Sequence, residues 1–189
     1  MFCGVDIGTS NLKVALVDAD CQLRWLASQP TPRVPDGEGL ATNAKALCQT
    51  IEALIIKAWR ETGAGPAITA ISTTGVGEDG LNADAEFNPL GPALAWFDGR
   101  AGEEAAELSV QLGQRQIPAG IGVDASRTAA KWLWLSRHRP AEAALGHAWL
   151  ALTDYPLARW ARQAFISETL AARTACLDVS TRQIGRAHV

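Results

Sequence analysis

The sequence predicts an α/β domain, a mixed sheet flanked by helices, on three observations. Two apolar strands, Phe2 to Ile7 and Leu12 to Val17, meet at a Gly-Thr-Ser turn, so the chain opens as an antiparallel hairpin. A helical repeat of apolar residues follows a stretch rich in proline and glycine. A partly β-branched run comes directly after that helix, giving the order β-β-β-α-β, and a crossover helix of this kind belongs to the α/β class.

The elements follow in order. Leu23 to Ala27 is a third strand, separated from the second by an Asp-Ala-Asp turn. Gln29 to Gly39 reads as a surface loop. Asn43 or Thr42 caps a helix that carries Leu47, Ile51, Leu54, Ala58 and Trp59 on one face and stops at Gly63. Ala67 to Thr73 is expected to be a buried strand and Leu81 to Ala85 another, with Pro89 and Pro92 in the loop before Ala93-Leu94-Ala95-Trp96. Ala101 to Leu112 is an amphipathic helix, and Thr128 to Arg137 is a tryptophan-bearing one whose end Pro140 marks. Ala148 to Leu152 reads as a strand, and Asp154 caps a short helix through Trp160. No internal repeat or low-complexity segment interrupts this order.

Bulk properties exclude several function classes. A chain of 189 residues fits one domain and can bury a core. A net charge of −3 without a basic stripe argues against nucleic acid as the main partner. Cys3, Cys21, Cys48 and Cys176 are scattered, with no C-x-x-C and no neighbouring histidine, so they read as reduced thiols and not as a zinc site or disulfide framework. His138, His147 and His188 have no metal-ligand spacing either. Asp6 interrupts the N-terminal apolar run, which excludes a signal peptide, and no apolar stretch is long enough to span a membrane. A soluble, cytoplasmic protein is expected.

Three places carry chemistry. In Gly4-Val5-Asp6-Ile7-Gly8-Thr9-Ser10 a strand ends in an acidic residue and turns through glycine and two hydroxyls. Backbone N–H groups with the Thr9 and Ser10 hydroxyls can receive a phosphate, and Asp6 can hold Mg²⁺ through water. Lys13, on the return strand, can add positive charge. The pattern is neither a G-x-x-x-x-G-K-[ST] loop nor a G-x-G-x-x-G fingerprint, and D-x-G-T alone also fits a plain tight hairpin. Its place between two apolar strands favours the phosphate reading. Glu78 and Asp79 follow a strand end and a glycine turn, where exposed carboxylates can accept paired hydrogen bonds from vicinal hydroxyls, although a solvated acidic turn fits equally. Trp96 offers a flat apolar face to the C–H side of a sugar, or packs in the core. Asp98 and Arg100 could orient that site or pair with each other, and Lys131 and Trp132 read as packing residues.

With these segments placed, the chain resembles the N-terminal domain of the FGGY carbohydrate kinase family. Four stretches carry the resemblance: Gly4 to Lys13, like the family's phosphate hairpin; Ala70 to Gly80, like the strand and turn leading to the sugar; Pro89 to Arg100, similar to P-x-x-W-x-D-x-R; and Ser167 to Thr174 with Leu177-Asp178, similar to S-x-x-S-R-T-x-x-x-D. The resemblance implies a ribonuclease-H-like fold of the actin and hexokinase type. It also implies ATP and Mg²⁺ as cofactors, phosphoryl transfer to a hydroxyl of a sugar or polyol, and a homodimer as one option for the full-length protein. Asp6, Gly8, Thr9, Ser10, Asn11 and Lys13 would then hold the ATP phosphates and metal, and Glu78, Asp79, Trp96 and Asp98 the sugar. The loop from Pro118 to Ser126 lies where relatives reach over the sugar, but Asp124 and its neighbours match no single pattern.

Trp96-Phe97-Asp98-Gly99-Arg100 is close to the xylulokinase form of its motif, whereas Gly77-Glu78-Asp79-Gly80 looks more like the Gly-Val-Asp-Gly of fuculokinases. The Arg-Glu pair of glycerol kinases is absent. The resemblance places the family's general base, an aspartate in a later Asp-Gly turn, beyond Gln183, so no catalytic base is assigned in this chain. The second lobe is expected to be missing too, and half a cleft cannot position both substrates. Residues 1–183 are therefore expected to be an incomplete kinase domain, inactive alone. Ile184 to Val189 has the sequence that the start of a common sequencing adapter would encode (ATC GGA AGA GCA CAC GTC), and a translated adapter is the expected origin of those six residues. The alternatives are a non-catalytic, nucleotide-responsive regulatory module of the same fold class and an aggregating fragment.

Overall fold

Three N-terminal strands, β1 (Phe2–Ile7), β2 (Asn11–Val17) and β3 (Leu23–Pro30), pair antiparallel in chain order. The computed structural model describes residues 1–37, 39–65, 67–113 and 120–184. After helix α1 (Ala44–Glu61), strand β6 (Ala70–Gly75) returns parallel to β1 on its free side, so the sheet runs β3-β2-β1-β6. Alternation along the strands sends Cys3, Val5 and Ile7 of β1 and Leu12, Val14 and Leu16 of β2 to one face. There they meet Leu47, Cys48, Ile51, Leu54 and Ala58 of α1, spaced three and four residues apart. Trp59, expected on that stripe, is partly exposed at its flank. Asn43 caps the helix, its Oδ1 accepting the Ala46 N–H at 3.0 Å, while Thr42 is engaged in a strand.

A second, antiparallel sheet of order β4-β5-β8-β7-β9 joins Arg33–Asp36, Gly39–Thr42, Ala93–Leu94, Gly80–Ala83 and Ala148–Ala151. This corrects the reading of Gln29 to Gly39 as a loop: β3 continues to Pro30, and β4 and β5 form a hairpin turning at Asp36 and Gly37. Proline is tolerated at the end of an edge strand, and Gly37 takes the positive φ of +63° that the turn requires. The expected burial of β6 is also corrected. That strand is largely exposed, because it is paired only to β1 among the described residues.

The remaining elements are helical, apart from a short terminal hairpin. Helices α2 (Gly102–Leu112) and α3 (Thr128–His138) share a small core of Ala101, Ala105 and Ala130, with Leu108 and Trp134 against it. Pro140 ends α3 and also begins α4 (Pro140–Leu145), where a missing N–H costs nothing. Asp154 stands before α5 (Tyr155–Ala161) but makes no cap with its side chain; its carboxylate accepts the Ser167 N–H at 2.7 Å, tying in the start of α6 (Glu168–Arg173). Strands β10 (Leu177–Asp178) and β11 (Gln183–Ile184) close the described chain. Pro118 and Ala119 of the loop over the expected sugar site, and residues 185–189 of the expected foreign tail, lie outside the described residues. The four cysteines are free thiols, Cys3 and Cys48 buried in the core. Among the described residues no helix is long and apolar enough to cross a membrane.

Candidate functional site

The turn between β1 and β2 is held by the Gly8 N–H, which donates to Asn11 O at 3.0 Å. A Cβ on Gly8 would stand 2.7 Å from that same oxygen, so glycine is what lets the backbone close. Thr31 pins the turn from outside: its Oγ1 donates to Gly8 O at 2.8 Å, and its N–H to Ser10 O at 2.9 Å. Asp6 and Lys13 face each other across the hairpin and pair at 3.3 Å. Both side chains are about half exposed, so the pair is weak and open to exchange for a ligand.

Arg33, on β4, joins this turn to the acidic one. Its guanidinium donates to Thr9 O (2.8 and 3.1 Å), to Thr42 Oγ1 (2.7 Å) and to Asp79 Oδ2 (3.3 Å), and it lies 5.1 Å over the Phe97 ring. Asp79 is buried, not exposed as expected, and its other oxygen accepts the Trp96 N–H at 2.7 Å. Burial pushes its carboxyl pKa up, while the Trp96 N–H, Arg33 and Lys131 pull it back. The Trp96 indole then reaches the first turn, Nε1 donating to Thr9 Oγ1 at 3.0 Å. The residues expected to hold phosphate and those expected to hold sugar thus meet at Thr9, Arg33, Asp79 and Trp96, with the Trp96 ring partly exposed.

Glu78 is equally engaged. Its Oε1 accepts Arg127 Nη1 at 2.7 Å and Arg173 Nε at 2.6 Å, and its main-chain oxygen accepts Lys131 Nζ at 2.7 Å. Asp98 lies one step further from Thr9. It accepts the Arg100 N–H at 3.0 Å and Arg100 Nη2 at 2.6 Å, and Arg100 continues to Asp36 at 2.7 Å. Burial alone would raise the Asp36 carboxyl, but Arg139 and Arg100 together hold it below its ordinary value. Asp98 and Arg100 do pair, and they line a surface groove of about 700 Å³ beside Phe97 and Trp134.

Arg33, Asp36, Arg127 and Lys131 were not singled out as site residues from the sequence. Arg33 and Asp36 sit in the segment read as a loop, and nothing local marks them. Arg173 belongs to a quoted stretch, but its pairing with Glu78 spans 95 positions. No three His, Cys, Asp or Glu side chains gather to hold a metal among the described residues. Mg²⁺ keeps its waters and takes one or two carboxylates plus phosphate oxygens. Asp6 is the half-exposed carboxylate beside the glycine turn, so the residues present fit a metal-bound phosphate.

The sheet order, the crossover helix and the glycine turn define an α/β domain of the ribonuclease-H-like, actin and hexokinase type. The sequence profile described as the FGGY family of carbohydrate kinases, N-terminal domain, matches residues 1–186. The chain belongs to that family. It is 27% identical over 192 residues to a xylulose kinase of Escherichia coli (strain K12), covering 96% of this chain and 38% of that protein. It is 32% identical over 141 residues to a xylulose kinase of Streptomyces coelicolor, covering 72% and 28% respectively. The crystal structure of xylulose kinase from Rhodospirillum rubrum superposes with a TM-score of 0.87 at 22% identity, over 98% of this chain and 39% of that one, which shows the shared fold. The chain therefore spans well under half the length of these relatives.

Proposed function

We propose that this chain is the N-terminal domain of an ATP-dependent kinase that transfers the γ-phosphoryl group to a hydroxyl of a sugar or polyol, of xylulokinase or fuculokinase type. The observation that carries the reading is the hydrogen bond from Trp96 Nε1 to Thr9 Oγ1, which brings the glycine turn against the segment given to the sugar. Asp6, Gly8, Thr9, Ser10, Asn11 and Lys13 hold the nucleotide phosphates and, through water on Asp6, Mg²⁺. Bound nucleotide and metal supply the phosphoryl group and offset its charge. Trp96 presents its ring to the sugar, Asp79 and Glu78 orient the hydroxyls through the arginines they hold, and Asp98 fixes the loop that carries Trp96.

The general base and the adenine site are assigned to sequence outside this chain, so the 189 residues alone are inactive. We read residues 1–183 as the domain and 184–189 as a tail of foreign origin whose first residue, Ile184, lies in β11 and pairs with Leu177; resequencing the source locus across the Gln183 codon tests this. The protein is cytoplasmic in this reading. The functional test is a coupled ADP-release assay of the complete protein with pentoses, hexoses, deoxysugars and polyols. Phosphorylation of one of them supports the reading. The absence of both turnover and sugar-dependent thermal protection with all of them overturns it, in favour of a regulatory module.

A further inference from the structure

Lys131 lies early in α3 and is 1% exposed. Taking an ammonium out of water is costly, and a helix surface offers a lysine easier places to point. This one is aimed at a single main-chain atom 53 positions away, Glu78 O, at 2.7 Å. Two neighbours on the same helix end reinforce the contact. Arg127 holds the Glu78 carboxylate, and the Trp132 ring packs edge-on, at 6.0 Å, against Trp149. The Trp149 ring in turn lies where a Cβ on Gly80 would stand 2.5 Å away. The start of α3 therefore clamps both ends of the Glu78–Gly80 turn, and Asp79 is left facing Trp96 and Arg33.

The charges around the ammonium fit this role. Asp79, Glu78, Asp98 and Asp124 favour its protonated form, and Arg127, Arg33 and Arg173 are each held by one of those carboxylates. Burial nevertheless lowers its pKa to about 8. None of these contacts supports the core under α1, so the lysine is spent on the turn and not on the main sheet.

We propose that Lys131 is a positioning residue: by holding the Glu78 carbonyl it sets the direction of the Glu78 and Asp79 carboxylates, and sugar affinity depends on it although it touches no sugar. The proposal rests on the sugar-kinase reading above. Two variants test it in the complete enzyme. Lys131→Met keeps the stem and removes charge and donor, and Lys131→Gln keeps a donor without charge. The sugar KM of Lys131→Met rises about ten- to a hundredfold, the cost of a misplaced binding group. Its KM for ATP stays within about twofold, because the glycine turn is held by its own Gly8–Asn11 bond and by Thr31, neither of which touches Lys131. Lys131→Gln recovers part of the sugar KM.

A second measurement needs no activity. Amide exchange of the 189-residue chain speeds up at Gly77 to Gly80 in Lys131→Met while β1 and α1 keep their protection. Unchanged sugar KM in both variants, or a rise of both KM values with loosening of β1 and α1, overturns the proposal. Should Lys131→Met fail to fold, Lys131→Gln decides by the same split between the two KM values. If the unmodified enzyme phosphorylates no sugar, the kinase reading falls by itself. The exchange at Gly77 to Gly80 then judges the lysine: a selective rise supports its role, and no change overturns it.

Discussion

Asp79 has no exposed side-chain surface, and each of its oxygens is taken by a group from a different segment. Asp79→Ala leaves the Arg33 guanidinium and the Trp96 N–H facing an empty site. Removing one member of a buried pair costs about 3 kcal/mol or more, and urea unfolding of the variant against the parent measures it. Trp96→Phe is milder. It keeps an aromatic ring but removes the indole donor to Thr9, and lowers stability by about 1 kcal/mol, as one hydrogen bond does. Lys131 has a pH signature. Its pKa falls from 10.5 in the unfolded chain to about 8 in the fold, so its contribution to stability is present above 10.5 and is lost as pH falls through about 8. Cys3 and Cys48, each raised by burial to about 11, act in the opposite sense over an overlapping range. The difference between unfolding curves of the parent and Lys131→Met, taken from pH 7 to 11, therefore isolates the lysine; the parent gains stability relative to the variant as pH rises. The residues of this site differ in how plainly the sequence announced them. Asp6, Gly8 and Thr9 lie within one short turn, and local pattern suffices to find them. Arg33 and Lys131 reach Thr9, Asp79 and Glu78, 24 to 53 positions away, and no local pattern encodes such a reach.

At the scale of elements the same contrast holds. Helix α1 was legible because its cap, its apolar stripe and its stop are all local. Two variants probe that reading. Asn43→Ala loses the bond to the Ala46 N–H and costs about 1 kcal/mol. Ile51→Ala, at a fully buried position against β1 and β2, costs about 3 kcal/mol, and thermal or urea unfolding reads both. The β4–β5 hairpin was not legible, because Pro35, Gly37 and Gly39 interrupt its strand pattern and β5 is stabilised by pairing with β8 from more than 50 positions later. The same hairpin delivers Arg33 to Thr9 at one end and Asp36 to Arg100 and Arg139 at the other. Two residues of the candidate site, Arg33 and Asp36, are therefore carried by a hairpin that no local pattern announces.

At the scale of the whole molecule, the main sheet packs one face against α1 and carries exposed apolar side chains on the other. Phe2 and Leu26 are about half exposed on the side away from α1, and Ala15 and Val17 lie between them in the sheet register. With β6 paired only to β1 among the described residues, the 189-residue chain offers both an apolar surface and a strand edge to a second copy. Light scattering of the purified chain is expected to show concentration-dependent association, and Phe2→Lys with Leu26→Lys is expected to reduce it. The position of β1 also orders the life of the chain on the ribosome. Its pairing with β2 is available almost as soon as both strands emerge, but its other neighbour is aligned Phe2 to Ala70 and ends at Gly75. Until synthesis has passed that glycine and α1 has folded back, the strand at the centre of the sheet is still an edge, so α1 is the latch that turns a nascent hairpin into a domain.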